Sequence, residues 1–120
     1  MSDYRAPLKD MQFAIRELVG LDRLRSLPGL EETSDDLVEA VLEQAAALAG
    51  DVIGPTNTVG DRTGTRVEAG EVVVPPEFSA AYRQYVDGGW AGVTAPAEFG
   101  GQGLPFVVGV AVEEMWCAAN

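Results

Sequence analysis

Residues 106 to 116, FVVGVAVEEMW, place apolar side chains nearly all the way round a helix: Phe106, Val107, Val108, Val110, Ala111, Val112, Met115 and Trp116. A helix without a polar face needs neighbours on every side. Pro105 stands at its start, where the N–H that proline lacks would be unpaired in any case. The remainder of the chain offers three or four other short helices to do the covering. No glycine or proline follows Trp116 to stop the helix before Cys117-Ala118-Ala119-Asn120. The pattern therefore reads as a piece of a larger helical domain.

The other helices follow from spacing. Leu8, Met11, Ile15 and Leu18 recur at the helical interval, with Pro7 before them and Gly20 after, so a helix is expected over 8–19. A shorter piece follows over 21–27 and is broken by Pro28-Gly29. The strongest pattern covers 35–50, where Leu37, Val38, Val41, Leu42, Ala45, Leu48 and Ala49 form one stripe. Thr33 or Ser34 can cap it, and Asp35 and Asp36 suit the positive end of its dipole. Its acidic face, with Glu39 and Glu43, reads as solvated surface. Residues 54–71, rich in Gly, Thr, Asn and Asp, read as a long connection, with a short hairpin near 66–74 around Ala69-Gly70. Helical spacing resumes after Pro75-Pro76 with Phe78, Tyr82, Tyr85 and Val86, and Gly88-Gly89 ends it. The expected class is all-α.

Composition removes several kinds of chemistry. The chain has no histidine and a single cysteine, Cys117. No Ser-His or Cys-His pair can be assembled, no zinc site of the usual kind, and no internal disulfide. The net charge of −11 disfavours nucleic acid and anionic lipid. All eight cations lie at or before Arg83, so Asp87, Glu98, Glu113 and Glu114 have no basic neighbour in sequence. No apolar run is long enough to span a membrane, and the N-terminus resembles neither a secretory signal nor a transit peptide. The expected compartment is the cytoplasm.

Between the last two helices runs Trp90 to Pro105, WAGVTAPAEFGGQGLP. Gly100-Gly101-Gln102-Gly103 lacks the Lys-Ser or Lys-Thr of a Walker loop and does not follow a strand. It reads as a tight loop using left-handed backbone positions. Glu113 and Glu114 point about 100° apart on a helix and cannot make a close carboxylate pair. One is expected to be solvated and the other to meet an arginine from elsewhere. Trp90, Trp116, Tyr82 and Tyr85 read as core or interface aromatics. Cys117 reads as an inert thiol.

Three stretches together resemble the acyl-CoA dehydrogenase family. They are Tyr4 to Phe13, which is similar to the N-terminal extension of a bacterial subgroup acting on fatty acyl-CoA or 3-(methylthio)propanoyl-CoA; Gly70 to Phe78; and the Trp90 to Pro105 loop with Glu113-Glu114-Met115 behind it. The resemblance implies an extension over 1–30 and the family's N-terminal helical domain over 31–120, cut short at its C-terminal end. It implies an FAD-dependent parent that dehydrogenates an acyl-CoA thioester, meets electron-transfer flavoprotein and forms a homo-oligomer.

In that family the catalytic glutamate and the flavin contacts belong to parts not matched by these residues. No catalytic, cofactor-binding or metal residue is carried over, and the chain by itself is expected to bind no cofactor. The nearest candidates for a wall of the acyl pocket are Trp116 and Asn120. A free-standing acidic helical interaction module is the competing reading, drawn from the uncovered apolar helix.

Overall fold

A computed structural model describes residues 4–120. It is helical apart from one small hairpin, as expected. Helix α1 (Leu8–Phe13) begins on the Pro7 carbonyl, which accepts the N–H groups of Asp10 and Met11. It widens without a break into a π-helical stretch, Ala14–Gly20, and Gly20 at φ 85° turns the chain into α2 (Leu21–Arg25). Met11 and Ile15 are buried as their spacing predicts, whereas Leu18 is 74% exposed. The i→i+5 winding carries later residues off a 3.6-residue stripe. Leu21, beyond the Gly20 turn, enters the core instead.

Helix α3 (Asp35–Leu48) is capped by Ser34, whose Oγ accepts the Leu37 N–H at 3.1 Å. Val38, Leu42, Ala45 and Ala49 are buried, while Leu37 faces solvent. Its acidic side is not wholly solvated. Arg16 pairs with Glu39 at 3.1 Å and Arg25 with Asp35 at 2.7 Å, tying the first π-helical stretch and α2 to α3. Each such exposed pair contributes at most about 1 kcal/mol.

The expected connection over 54–71 is corrected. The chain passes from α3 through a second π-helical stretch, Ala49–Ile53, into helix α4 (Gly54–Thr63). Pro55 has no N–H to give, and its ring excludes a regular turn behind it. The widened turn carries the backbone through that point, and Pro55 then lies in the first turn of α4, where proline is tolerated. Packing rather than propensity stabilises this polar helix. A Cβ at Gly60 would lie 2.8 Å from the Phe78 ring, so that glycine permits the approach of the next helix.

The hairpin pairs β1 (Arg66–Glu68) with β2 (Glu71–Val73) in antiparallel register, Val67 opposite Val72. Ala69 and Gly70 both have positive φ, the mark of a two-residue hairpin turn matched to strand twist. Helix α5 (Pro76–Asp87) buries Ala81 and partly buries Phe78 and Tyr85, but Tyr82 and Val86 of the expected stripe are exposed.

The loop from Trp90 to Pro105 closes on itself. Gln102 N–H bonds the Gly92 carbonyl at 2.8 Å, Gly103 N–H the Ala95 carbonyl at 2.9 Å and Leu104 N–H the Val93 carbonyl at 3.0 Å. The last helix, α6 (Phe106–Ala119), starts one residue after Pro105. It buries Val108, Ala111, Val112, Met115, Trp116 and Ala119 in one cluster with α1, α2 and α3. Its covering is incomplete: Phe106 is 77% and Val110 50% exposed.

The whole is extended. Its radius of gyration is 16.5 Å, against about 14 Å for a compact domain of this length. Its accessible surface of 7684 Å² exceeds by roughly 1,400 Å² what a compact monomer of this mass exposes.

The loop supplies a stability test. A Cβ on Gly101 would stand 2.0 Å from the Ala95 carbonyl oxygen, whereas one on Gly100 meets no atom but sits at φ 82°. Gly100→Ala should cost about 1 kcal/mol of strain, and Gly101→Ala about 3 kcal/mol or more, because backbone must move. Equal denaturation midpoints for the two variants would contradict the close approach.

Candidate functional site

Trp116 on the last turn of α6 and Asn120, which caps its C-terminal end, line one open groove of about 260 Å³ between α4, α5 and α6. Its other walls include Ile53, Thr56, Phe78, Ala81, Tyr85 and Cys117. Asn120 is exposed, yet its side chain is held: Nδ2 donates to Thr56 Oγ1 at 2.7 Å. Thr56 in turn donates to the Ile53 carbonyl at 2.6 Å. That carbonyl belongs to the π-helical turn before Pro55, so the wide turn, the buried threonine and the end of α6 form one polar chain. Asn120 also borders a second groove beside Phe78, Gly60 and Val74.

Trp116 is the fixed element of the wall. Its ring meets Trp90 edge to face at 5.4 Å and Tyr85 at 6.0 Å, and Tyr85 stacks on Tyr82 at 6.3 Å. The Trp90 contact depends on Gly88, where a Cβ would strike the Trp90 indole at 2.5 Å. Trp116 Nε1 is buried and has no acceptor among the described residues. An indole N–H left unpaired away from water costs about 1–3 kcal/mol. Thr56 is not singled out by sequence, and Phe78 and Tyr85 read there as packing residues of a helix and not as walls of this groove. They lie 31 to 64 positions away from the ends of α6 they meet, and no local pattern signals such a meeting.

The glycine loop does not offer an anion site. The amide N–H groups of Gly100, Gly101, Gln102 and Gly103 are all spent on carbonyls of residues 92–97. No group of three His, Cys, Asp or Glu side chains among the described residues could hold a metal ion. Cys117 is exposed at the groove. Glu113 and Glu114 are exposed and form no ion pair among the described residues. They face phenols instead. Burial first and Glu113 second raise the pKa of Tyr85, with Tyr82 adding to it, and burial and Glu114 raise that of Tyr4.

No protein-family model matches the chain. Its curated relatives are acyl-CoA dehydrogenases. It is 42% identical over 117 residues to 3-methylmercaptopropionyl-CoA dehydrogenase of Ruegeria pomeroyi, a match covering 98% of this chain and 20% of the relative. It is 25% identical over 122 residues to the broad-specificity linear acyl-CoA dehydrogenase FadE5 of Mycobacterium tuberculosis, covering 100% of this chain and again 20% of the relative. The chain thus spans about a fifth of the length of the relatives it matches. No helix among the described residues is long and apolar enough to cross a membrane.

The phenols give a pH test. Folding holds the Tyr85 proton above its ordinary pKa of 10.0. Its contribution to stability is full below pH 10 and is lost as the pH rises through the folded value. In an ultraviolet titration, Glu113→Gln should bring one phenol back toward 10 and lessen the alkaline loss of stability. Three unshifted phenols in both proteins would contradict the arrangement.

Proposed function

We propose that the chain is the N-terminal part of an FAD-dependent acyl-CoA dehydrogenase, an enzyme that removes two hydrogens across the Cα–Cβ bond of an acyl-CoA thioester. The observation that carries this reading is 42% identity along 98% of the chain to an enzyme of that kind. The relative's name favours 3-methylmercaptopropionyl-CoA as the thioester, with straight-chain acyl-CoA next. Residues 1–30 are the extension and 31–120 the start of the helical domain, in a cytoplasmic homo-oligomer that passes electrons to electron-transfer flavoprotein.

The glycine loop offers FAD no place for its phosphates. Its pyrophosphate needs free amides or cations, but the loop amides are consumed internally and no cation follows Arg83. We assign holding the flavin and abstracting the proton to the rest of the polypeptide. The part assigned to this chain is shape. Trp116, fixed between Trp90 and Tyr85, gives an apolar wall, and Asn120, tethered to Thr56, places a polar group at its end. Such a wall selects among acyl groups by volume and excludes water from the reacting carbons.

The test compares two proteins. The 120-residue chain should purify colourless and leave acyl-CoA unchanged. The longer polypeptide should retain yellow flavin and reduce an electron-accepting dye with 3-methylmercaptopropionyl-CoA. Within it, Asn120→Ala should raise KM for the preferred thioester about tenfold and change kcat less. Flavin bound stoichiometrically by the 120-residue chain, or a full polypeptide inert toward every acyl-CoA, would overturn the reading.

A further inference from the structure

Thr56 is buried in the first turn of α4, beside Pro55. Its hydroxyl has a single proton to give. The Ile53 carbonyl stands 2.6 Å from Oγ1, and two oxygens that close repel each other unless a proton lies between them. A carbonyl has none, so the Thr56 proton is committed to Ile53. Toward Asn120, 2.7 Å away, Oγ1 can therefore only accept. That fixes which way round the Asn120 amide stands. Its NH2 faces Thr56, and its oxygen, Oδ1, makes no hydrogen bond among the described residues. Asn120 is exposed and borders both the groove at Trp116 and the one beside Phe78 and Val74.

We propose that Thr56 is a positioning residue that presents the Asn120 amide oxygen to the ligand, so that this end of the groove selects a group that donates a hydrogen bond. The inference rests on the reading of the chain as part of an acyl-CoA dehydrogenase. The acyl groups in the relatives' names, 3-methylmercaptopropionyl and linear acyl, carry no N–H or O–H. In their CoA thioesters the donors nearest the sulfur are the amide N–H groups of the pantetheine arm, and Oδ1 accepts one of them. The same arm carries amide carbonyls, which a reversed Asn120 amide would read instead. The committed proton of Thr56 decides between the two. Asn120 thus holds the arm that bears the thioester, while the apolar wall at Trp116 meets the acyl group.

The test follows dye reduction by the longer polypeptide with two thioesters of one acyl group, on pantetheine and on ethanethiol, which offers no N–H or O–H. The unmodified polypeptide should prefer the pantetheine thioester in kcat/KM. Thr56→Val, of nearly the same shape, should shrink that preference about tenfold through KM and leave kcat/KM for the ethanethiol thioester little changed. Thr56→Ser keeps the hydroxyl and should retain the preference. Asn120→Ala should lose it, and Thr56→Val added to Asn120→Ala should take away nothing more. A preference untouched by Thr56→Val or by Asn120→Ala would overturn the proposal. So would a loss of equal size for both thioesters, the mark of a merely structural role, or the same loss in Thr56→Ser. A polypeptide that turns over neither thioester removes the enzymatic reading and this one with it, whereas an active one with an unmoved preference removes only the role of Thr56.

Discussion

The packing of α6 onto α3 is the contact on which the rest depends. Leu42 is completely buried, as are Val108 and Met115, and Ala45, Ala49, Ala111 and Ala119 leave room for close approach. Met11, Ile15 and Leu21 close the same core from the N-terminal side. Fully burying one large apolar side chain is worth about 1.5–3 kcal/mol, so this seam is the main source of order in a chain with few other apolar contacts. It also fixes the candidate groove, because Trp116 lies on the last turn of the same helix and Asn120 caps its end.

Where that seam ends, polar details take over. The π-helical turn at Ala49–Ile53 allows α3 to continue past Pro55 and leaves the Ile53 carbonyl bonded to Thr56. Thr56 then receives the Asn120 amide. Proline chemistry thereby reaches the end of α6 through two hydrogen bonds. Glycines act at the same scale: Gly60, Gly88 and Gly101 each admit a neighbour that a methyl group would exclude. One face of α6 is finished by these contacts and the other is not.

Much of this was legible from residue order. Ser34, the stripe from Val38 to Ala49, the positive-φ pair Ala69-Gly70 and the self-closed glycine loop stand as their spacing and chemistry indicate. Helix α4 was not legible, because Gly54, Pro55 and Gly60 are poor helix formers and their helix depends on contacts with α5. Leu18 misled because a π-helical stretch changes the period without announcing itself in composition. At the site, Trp116 and Asn120 were recognisable only through family resemblance. Their partners Thr56 and Tyr85 come from other elements, and only the folded chain brings them together.

The central claim is that this chain buries one side of α6 and leaves the other exposed. Hydroxyl-radical footprinting of the 120-residue chain, read residue by residue, tests it most directly. Methionine and phenylalanine both react readily, and their exposures here are opposite: Met11 and Met115 are 7% and 0% exposed, Phe99 and Phe106 80% and 77%. The account predicts rapid labelling of both phenylalanines and strong protection of both methionines. Met115 labelled as fast as an unfolded methionine, or Phe106 as slow as Met115, would contradict it.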